Sequence, residues 1–151
     1  MAYSLPAVKI ACDWLNKNNF YAVVYETKIR PHVSLRHEYA DDGDILLLGP
    51  KDVEGKIIEV KRYGPENGFT SPEDHRFKSV LLDNHYNILR DKHHYVYAYI
   101  IVNPPMTHGF VFSINTQCHW EVRYKVWSKT DKEYKDLVYC EKKYITQVIT
   151  F

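Results

Sequence analysis

The sequence predicts a mixed α/β (α+β) fold in a single domain, and three observations carry that expectation. Leu5, Val8, Ala11, Cys12 and Leu15 recur at helical spacing near the N-terminus. Short runs rich in β-branched and aromatic residues follow, among them "FYAVVYETK", "DILLLG", "GKIIEVKRY" and "HHYVYAYIIVN". The resulting order is helix, three strands, helix, strand and a β-rich tail, which fits a mixed central sheet flanked by helices.

Taken in order, Ser4 caps a first helix over "SLPAVKIACDWLNKNN", ended by Asn18 and Asn19. "FYAVVYETK" is the first strand. Residues 29–43 are polar and irregular, with a short strand at "HVSLRH". "DILLLG" is a short apolar run bounded by Asp44 and Gly49 and reads as a buried strand. "PKDVE" turns the chain into "GKIIEVKRY". After the loop "GPENGFTSPED", Ser71 caps a second helix with Pro72 at its first position and Asp74 three residues after the cap. Phe77, Val80, Leu81 and Ile88 form its apolar stripe, and it runs to about Arg90. "HHYVYAYIIVN" is a strong strand stopped by Pro104 and Pro105. "GFVFSIN", "HWEVRYKVW" and "KKYITQVITF" are further strands or fragments, separated by a turn or short helix at "SKTDKEYKD".

The 151 residues form one domain over 1–151, with a core at about 5–102 and a β-rich extension at 103–151. Hydrophobic residues make up 45% and charged residues 26%, the balance of a soluble globular protein. Aromatics reach 15%, with thirteen tyrosines, which argues first for half-buried sheet. No apolar run approaches the ~20 residues that span a bilayer, and no basic segment precedes the first apolar stretch. Three cysteines without CxxC spacing suit a reducing, cytoplasmic setting and no zinc site.

Net charge is only +1, but the charges are unevenly spread. From Glu38 to Glu54 there are six acids against Lys51 alone, whereas 122–143 carries seven basic residues and four acids. Such a distribution is compatible with a cation site beside an anionic ligand, or with a solvated loop.

The strand "GKIIEVKRY" raises the chemical question, because Glu59 and Lys61 share a face with Ile57. In an antiparallel hairpin the numbers of facing residues have a constant sum. A sum of 103 places Asp44 opposite Glu59, 105 places it opposite Lys61, and 104 sends it to the other surface. Two of these three registers gather two carboxylates and an ammonium within roughly 5–8 Å. Two such carboxylates repel unless a cation lies between them. Magnesium accepts this donor type, with a backbone carbonyl such as that of Val60, water and phosphate oxygens completing its shell.

"GDILLLG" followed by "GKIIEVKRY" resembles the PD-(D/E)XK nuclease superfamily, the restriction-endonuclease-like fold with an αβββαβ core. On that resemblance Asp44 is the first metal-binding acid, Glu59 the second and Lys61 the lysine; Gly43 stands where the motif has proline. The resemblance implies a Mg2+-dependent nuclease, with Mn2+ as substitute ion, hydrolysing phosphodiester bonds in DNA. The alternative is a non-catalytic nuclease-fold relative that binds nucleic acid or protein. A stand-alone chain of this size is most similar to phage-type or mobile-element members, and a homodimer would suit a two-strand cut.

Around this centre, Glu26 is the candidate for an additional acid, ahead of Asp13, and Asp41 and Asp42 read as loop acids. Arg76 and Lys78, with His75 and Ser79, lie on the polar face of the second helix as phosphate contacts. In the tail, Trp120, Tyr124 and Trp127 interleave with Arg123, Lys125 and Lys129, the pattern of a nucleic-acid platform and equally of an amphipathic strand or dimer interface. His93–His94 and Cys118–His119 lack metal-ligand spacing, and neighbouring strand residues point apart, so neither forms a catalytic pair.

Overall fold

A computed structural model describes residues 4–25, 44–89, 96–129 and 131–151. The fold is mixed α/β and dominated by sheet. Helix α1 (Leu5–Lys17) is followed by β1 (Tyr21–Val24), β2 (Ile45–Gly49), β3 (Ile57–Arg62), β4 (Ser79–Asn84) and a short helix α2 (His85–Leu89). Then come β5 (Val96–Val102), β6 (His108–Ser113), β7 (Glu121–Ser128), β8 (Glu133–Glu141) and β9 (Gln147–Thr150).

Six strands form one sheet in the order β1-β2-β3-β5-β6-β9, and β4-β8-β7 form a second. β1, β2 and β3 make an antiparallel meander, and β5 returns parallel to β3. Helix α1 covers one face of the large sheet. Its Ser4 hydroxyl accepts from the Ala7 N–H, and it buries Ala7, Val8, Ala11, Cys12 and Leu15 against Ile45, Leu47, Ile58, Val60 and Ile100. Asn16 locks helix to sheet: its amide accepts from Ala22 N at 2.8 Å and donates to Ala22 O at 2.9 Å, replacing a neighbouring strand.

The opposite face of the large sheet carries Tyr99, Ile101, Phe110 and Phe112. It packs on Val80, Leu82, Val138 and Cys140 of the small sheet. The molecule therefore stacks α1, the large sheet and the small sheet. Helices do not flank both faces as the sequence predicts.

The cause lies between residues 71 and 89, where the expected second helix is reduced to the short α2 and its first part becomes a turn and β4. Ser71 and Asp74 do exchange the bonds of a capping box, but these close a turn. Val80 and Leu82 are fully buried on the strand β4, while Phe77, expected in the helical stripe, is 52% exposed. Burying each of those two side chains contributes about 1.5–3 kcal/mol. Helix propensities differ by only about 0.7 kcal/mol per residue or less among ordinary residues. Pairing with β8, distant in sequence, thus decides the local structure.

The tail is also more ordered into the fold than expected. β6 and β9 extend the large sheet, and Glu133–Asp136, expected in a turn, begin β8. Residues 142–144 form a 3-10 turn before β9. The expected strand "HVSLRH" lies outside the described residues. Among the described residues no helix is long and apolar enough to cross a membrane.

Candidate functional site

The register of the β2–β3 hairpin places the candidate residues. Ile45 faces Ile58 and Leu46 faces Ile57, a constant sum of 103. Continued by one position, it sets Asp44 across from Glu59 on one face. Ile45, Leu47, Ile58 and Val60 fill the α1 side of the sheet, so Asp44, Glu59, Lys61 and Tyr63 project to the side covered by the small sheet. Asp44 and Glu59 are 4% and 2% exposed.

Backbone geometry fixes Asp44. Its Oδ2 accepts from the Val60 N–H at 2.7 Å, a buried bond to a charged group. Bonds of that class contribute about 1.5–3 kcal/mol. Its carbonyl accepts from Tyr25 N at 2.9 Å. The N–H and C=O of one strand residue point to the same side, so the Val60 carbonyl also faces the Asp44 edge of β3.

Two further groups belong to this site and escape sequence reasoning. Asp83 on β4 is buried, and its Oδ2 lies 3.6 Å from Lys61 Nζ. Its Oδ1 accepts from Asn84 N at 2.8 Å and from Asn87 Nδ2 at 2.9 Å. Tyr99, paired with Glu59 across the parallel β3–β5 ladder, directs its hydroxyl to Asp83 Oδ2 at 3.5 Å. Burial pushes the Tyr99 phenol well above its ordinary pKa, and the charges of Asp83, Glu59 and Asp44 add to the shift. Asp83 thus meets the Tyr99 hydroxyl directly, whereas Glu59 and Asp44 act on it through their charge. The signal for Asp83 lay in "SVLLDN", a short apolar run that is legible as a strand only once the longer second helix is given up.

Asp44, Glu59 and Val60 offer two carboxylates and a carbonyl, a sparse set of hard oxygen donors that fits magnesium sharing its shell with water and phosphate. Among the described residues no three His, Cys, Asp or Glu side chains converge as a metal-holding group, so a cage built from protein alone is not present there.

The remaining candidates are dispersed. Glu26, Asp41, Asp42, His93 and His94 lie outside the described residues. Asp13 is exposed on α1, on the other face of the large sheet. Arg76 and Lys78 are not on a helix beside the carboxylates, because that helix is replaced by a turn and β4. Arg76 instead lies over the Phe77 ring at 5.1 Å, and Lys78 approaches Glu141 at 3.8 Å. Arg123 pairs with Glu121 at 2.6 Å, and the Lys125 N–H donates to Asp136 Oδ1 at a bulge in β7. β7 is the strand of the small sheet farthest from β4. His119 stacks on Tyr144 at 3.9 Å between centroids, and Cys118 is exposed.

No family model matches the chain, and neither the curated proteins nor the solved structures include one that matches it.

Proposed function

We propose that the chain is a metal-dependent nuclease that hydrolyses phosphodiester bonds, in DNA by preference. The observation that carries this reading is the hairpin register, which sets Asp44 across from Glu59 with Lys61 two residues on along the same face. It agrees with the resemblance of these residues to the PD-(D/E)XK motif.

Asp44, Glu59 and the Val60 carbonyl would hold Mg2+, or Mn2+ in its place. The ion supplies Lewis-acid stabilisation of charge developing on phosphorus and acidifies water. The Val60 N–H fixes the rotation of the Asp44 carboxylate. Lys61 orients the attacking water and offsets charge on a phosphate oxygen. Asp83 is a positioning residue, holding the Lys61 ammonium toward the carboxylates from the facing sheet. Lys61 is the most accessible of the set, with an 18% exposed side chain, and marks the side from which substrate approaches.

A second reading draws on the same contact. A charged pair bridging two sheets serves architecture as well as chemistry, and a non-catalytic relative that binds nucleic acid or protein would retain it.

Nicking of supercoiled plasmid and cleavage of labelled branched and single-stranded DNA, in Mg2+, Mn2+ or EDTA, separates the two. Wild type is compared with Glu59→Ala and Lys61→Ala purified identically. Metal-dependent cleavage lost in both variants is the expected result. Equal activity in all three preparations indicates a contaminant, and inactivity on every substrate leaves the binding module.

A further inference from the structure

Two residues beyond Lys61, immediately after β3, Tyr63 lines a cavity of about 150 Å3. That volume is roughly five times the ~30 Å3 share of a liquid water. It falls below the ~300–1,000 Å3 of drug-sized pockets, so it suits one small ring system.

Its walls are rings. Tyr63, His75, Phe77 and Tyr139 all line it. Tyr63 has committed its hydroxyl to the backbone of Leu81, accepting from N at 2.9 Å and donating to O at 3.3 Å, so it offers its ring to the cavity. Ser79, Asn67, Tyr139 and His75 bring a hydroxyl, an amide, a phenol and an imidazole to the lining. His75 Nδ1 lies 2.8 Å from Phe77 O, the geometry of an Nδ1–H donor. Burial lowers the pKa of this imidazole, which favours the neutral form and leaves Nε2 an acceptor. The site thus combines π surfaces with both donors and acceptors, the complement of a flat heteroaromatic ring with polar edges.

Two arginines contact wall rings of the cavity. The Arg76 guanidinium lies 5.1 Å from the Phe77 ring centroid and that of Arg123 lies 4.1 Å from the Tyr139 ring centroid. Arg123 is already paired with Glu121, so it is the Arg76 guanidinium on the Phe77 ring that matches an anionic group such as phosphate. Lys61 and Tyr63 are separated by about 7 Å along the strand.

We infer that this cavity is a nucleobase-binding subsite, taking one base of the strand whose phosphate is engaged at Asp44, Glu59 and Lys61. That the base belongs to a strand rests on the proposed nuclease function; the cavity's own chemistry does not.

Calorimetric titration with AMP, GMP, CMP and UMP, in EDTA, tests the subsite without any metal. Ribose 5-phosphate and inorganic phosphate are the controls. The proteins are wild type, Asn67→Ala and Ser79→Ala, with thermal unfolding confirming that each variant folds. Saturable binding of at least one nucleotide, none of ribose 5-phosphate, and about three- to tenfold weaker binding in each variant is expected. Equal binding of ribose 5-phosphate, unchanged affinity in both variants, or no binding of any nucleotide at millimolar concentration overturns the subsite. DNA cleavage without nucleotide binding removes the subsite and leaves the nuclease. Nucleotide binding without cleavage supports the subsite and removes the nuclease.

Discussion

Lys61 Nζ and Asp83 Oδ2 lie 3.6 Å apart and join the two sheets of the molecule, one side chain from β3 and the other from β4. Asp83 is 4% exposed at its side chain and accepts from Asn84 and Asn87 at the start of α2, so its carboxylate is held on both oxygens. The consequence is positional. A lysine on a four-carbon stem has wide freedom, and a fixed buried acid removes most of it.

A double-mutant cycle measures this contact. Lys61→Met and Asp83→Asn should each destabilise by about 2–4 kcal/mol, below the most severe values because the Lys61 side chain is 18% exposed. The double variant should cost less than the sum, with a coupling of about 1 kcal/mol or more in urea unfolding. Additive losses would mean that other groups, and not Asp83, hold the lysine.

Tyr63 gives a cleaner test of how the small sheet attaches. β4 is an edge strand, and the Tyr63 hydroxyl occupies both backbone groups of Leu81 on its open side. Tyr63→Phe keeps the ring and removes both bonds. A loss of about 1–3 kcal/mol is expected in equilibrium unfolding. Faster amide exchange at Leu81 than at the β8-paired positions of β4 should accompany it. Unchanged exchange there would show that the hydroxyl is dispensable to the strand edge.

These two contacts also show where the sequence was legible and where it was not. Helix α1 and the strands β1, β2, β3 and β5 could be read because each carries its own periodicity and its own punctuation, such as Ser4 at the cap and Asn18 at the end. The Asp44–Glu59 pairing was legible as one of three registers, because a hairpin of this length constrains itself. Asp83 was not. Its segment has a helix-like cap at Ser71 and an ambiguous apolar pattern, and its strand partner lies some sixty residues away in β8. Local signals cannot rank that long-range pairing, and the error carried Arg76 and Lys78 with it. The cavity at Tyr63 was illegible for the same reason, since His75, Ser79 and Tyr139 meet only after β4 and β8 pair.

Acid titration should resolve two groups. Burial lowers the His75 pKa below 6.5, so below that pH the unfolded chain binds a proton the folded one resists. Stability is full above 6.5 and falls as pH drops through the folded value, then levels. Asp74 has a pKa pulled down to about 2, first by the Thr70 hydroxyl and then by the Ser71 and Thr70 N–H groups. Its contribution is full above 3.8 and is lost as pH falls from there toward about 2. Urea midpoints measured from pH 8 to 2 should therefore show an upper step that disappears in His75→Gln and a lower one that disappears in Asp74→Ala. An upper step surviving in His75→Gln would assign it to another histidine.

Metal binding can be read without catalysis. An ion that binds only the folded chain adds RT ln(1 + [L]/Kd), about 1.4 kcal/mol at ten times Kd. For a domain of this size that is roughly 3–6 °C in Tm. Mn2+ or Mg2+ should therefore raise the wild-type Tm in a dose-dependent way that EDTA reverses. Asp44→Asn and Glu59→Gln each remove one charge from the donor set while keeping its shape, so both should fold and both should lose most of the shift. Lys61→Met should keep the shift, because the ammonium is assigned to water and phosphate and not to the ion. A shift equal in wild type and both carboxylate variants would place the ion elsewhere on the chain. No shift in wild type at millimolar ion would leave Asp44 and Glu59 as structural acids, held by Val60 and by the packing of the two sheets.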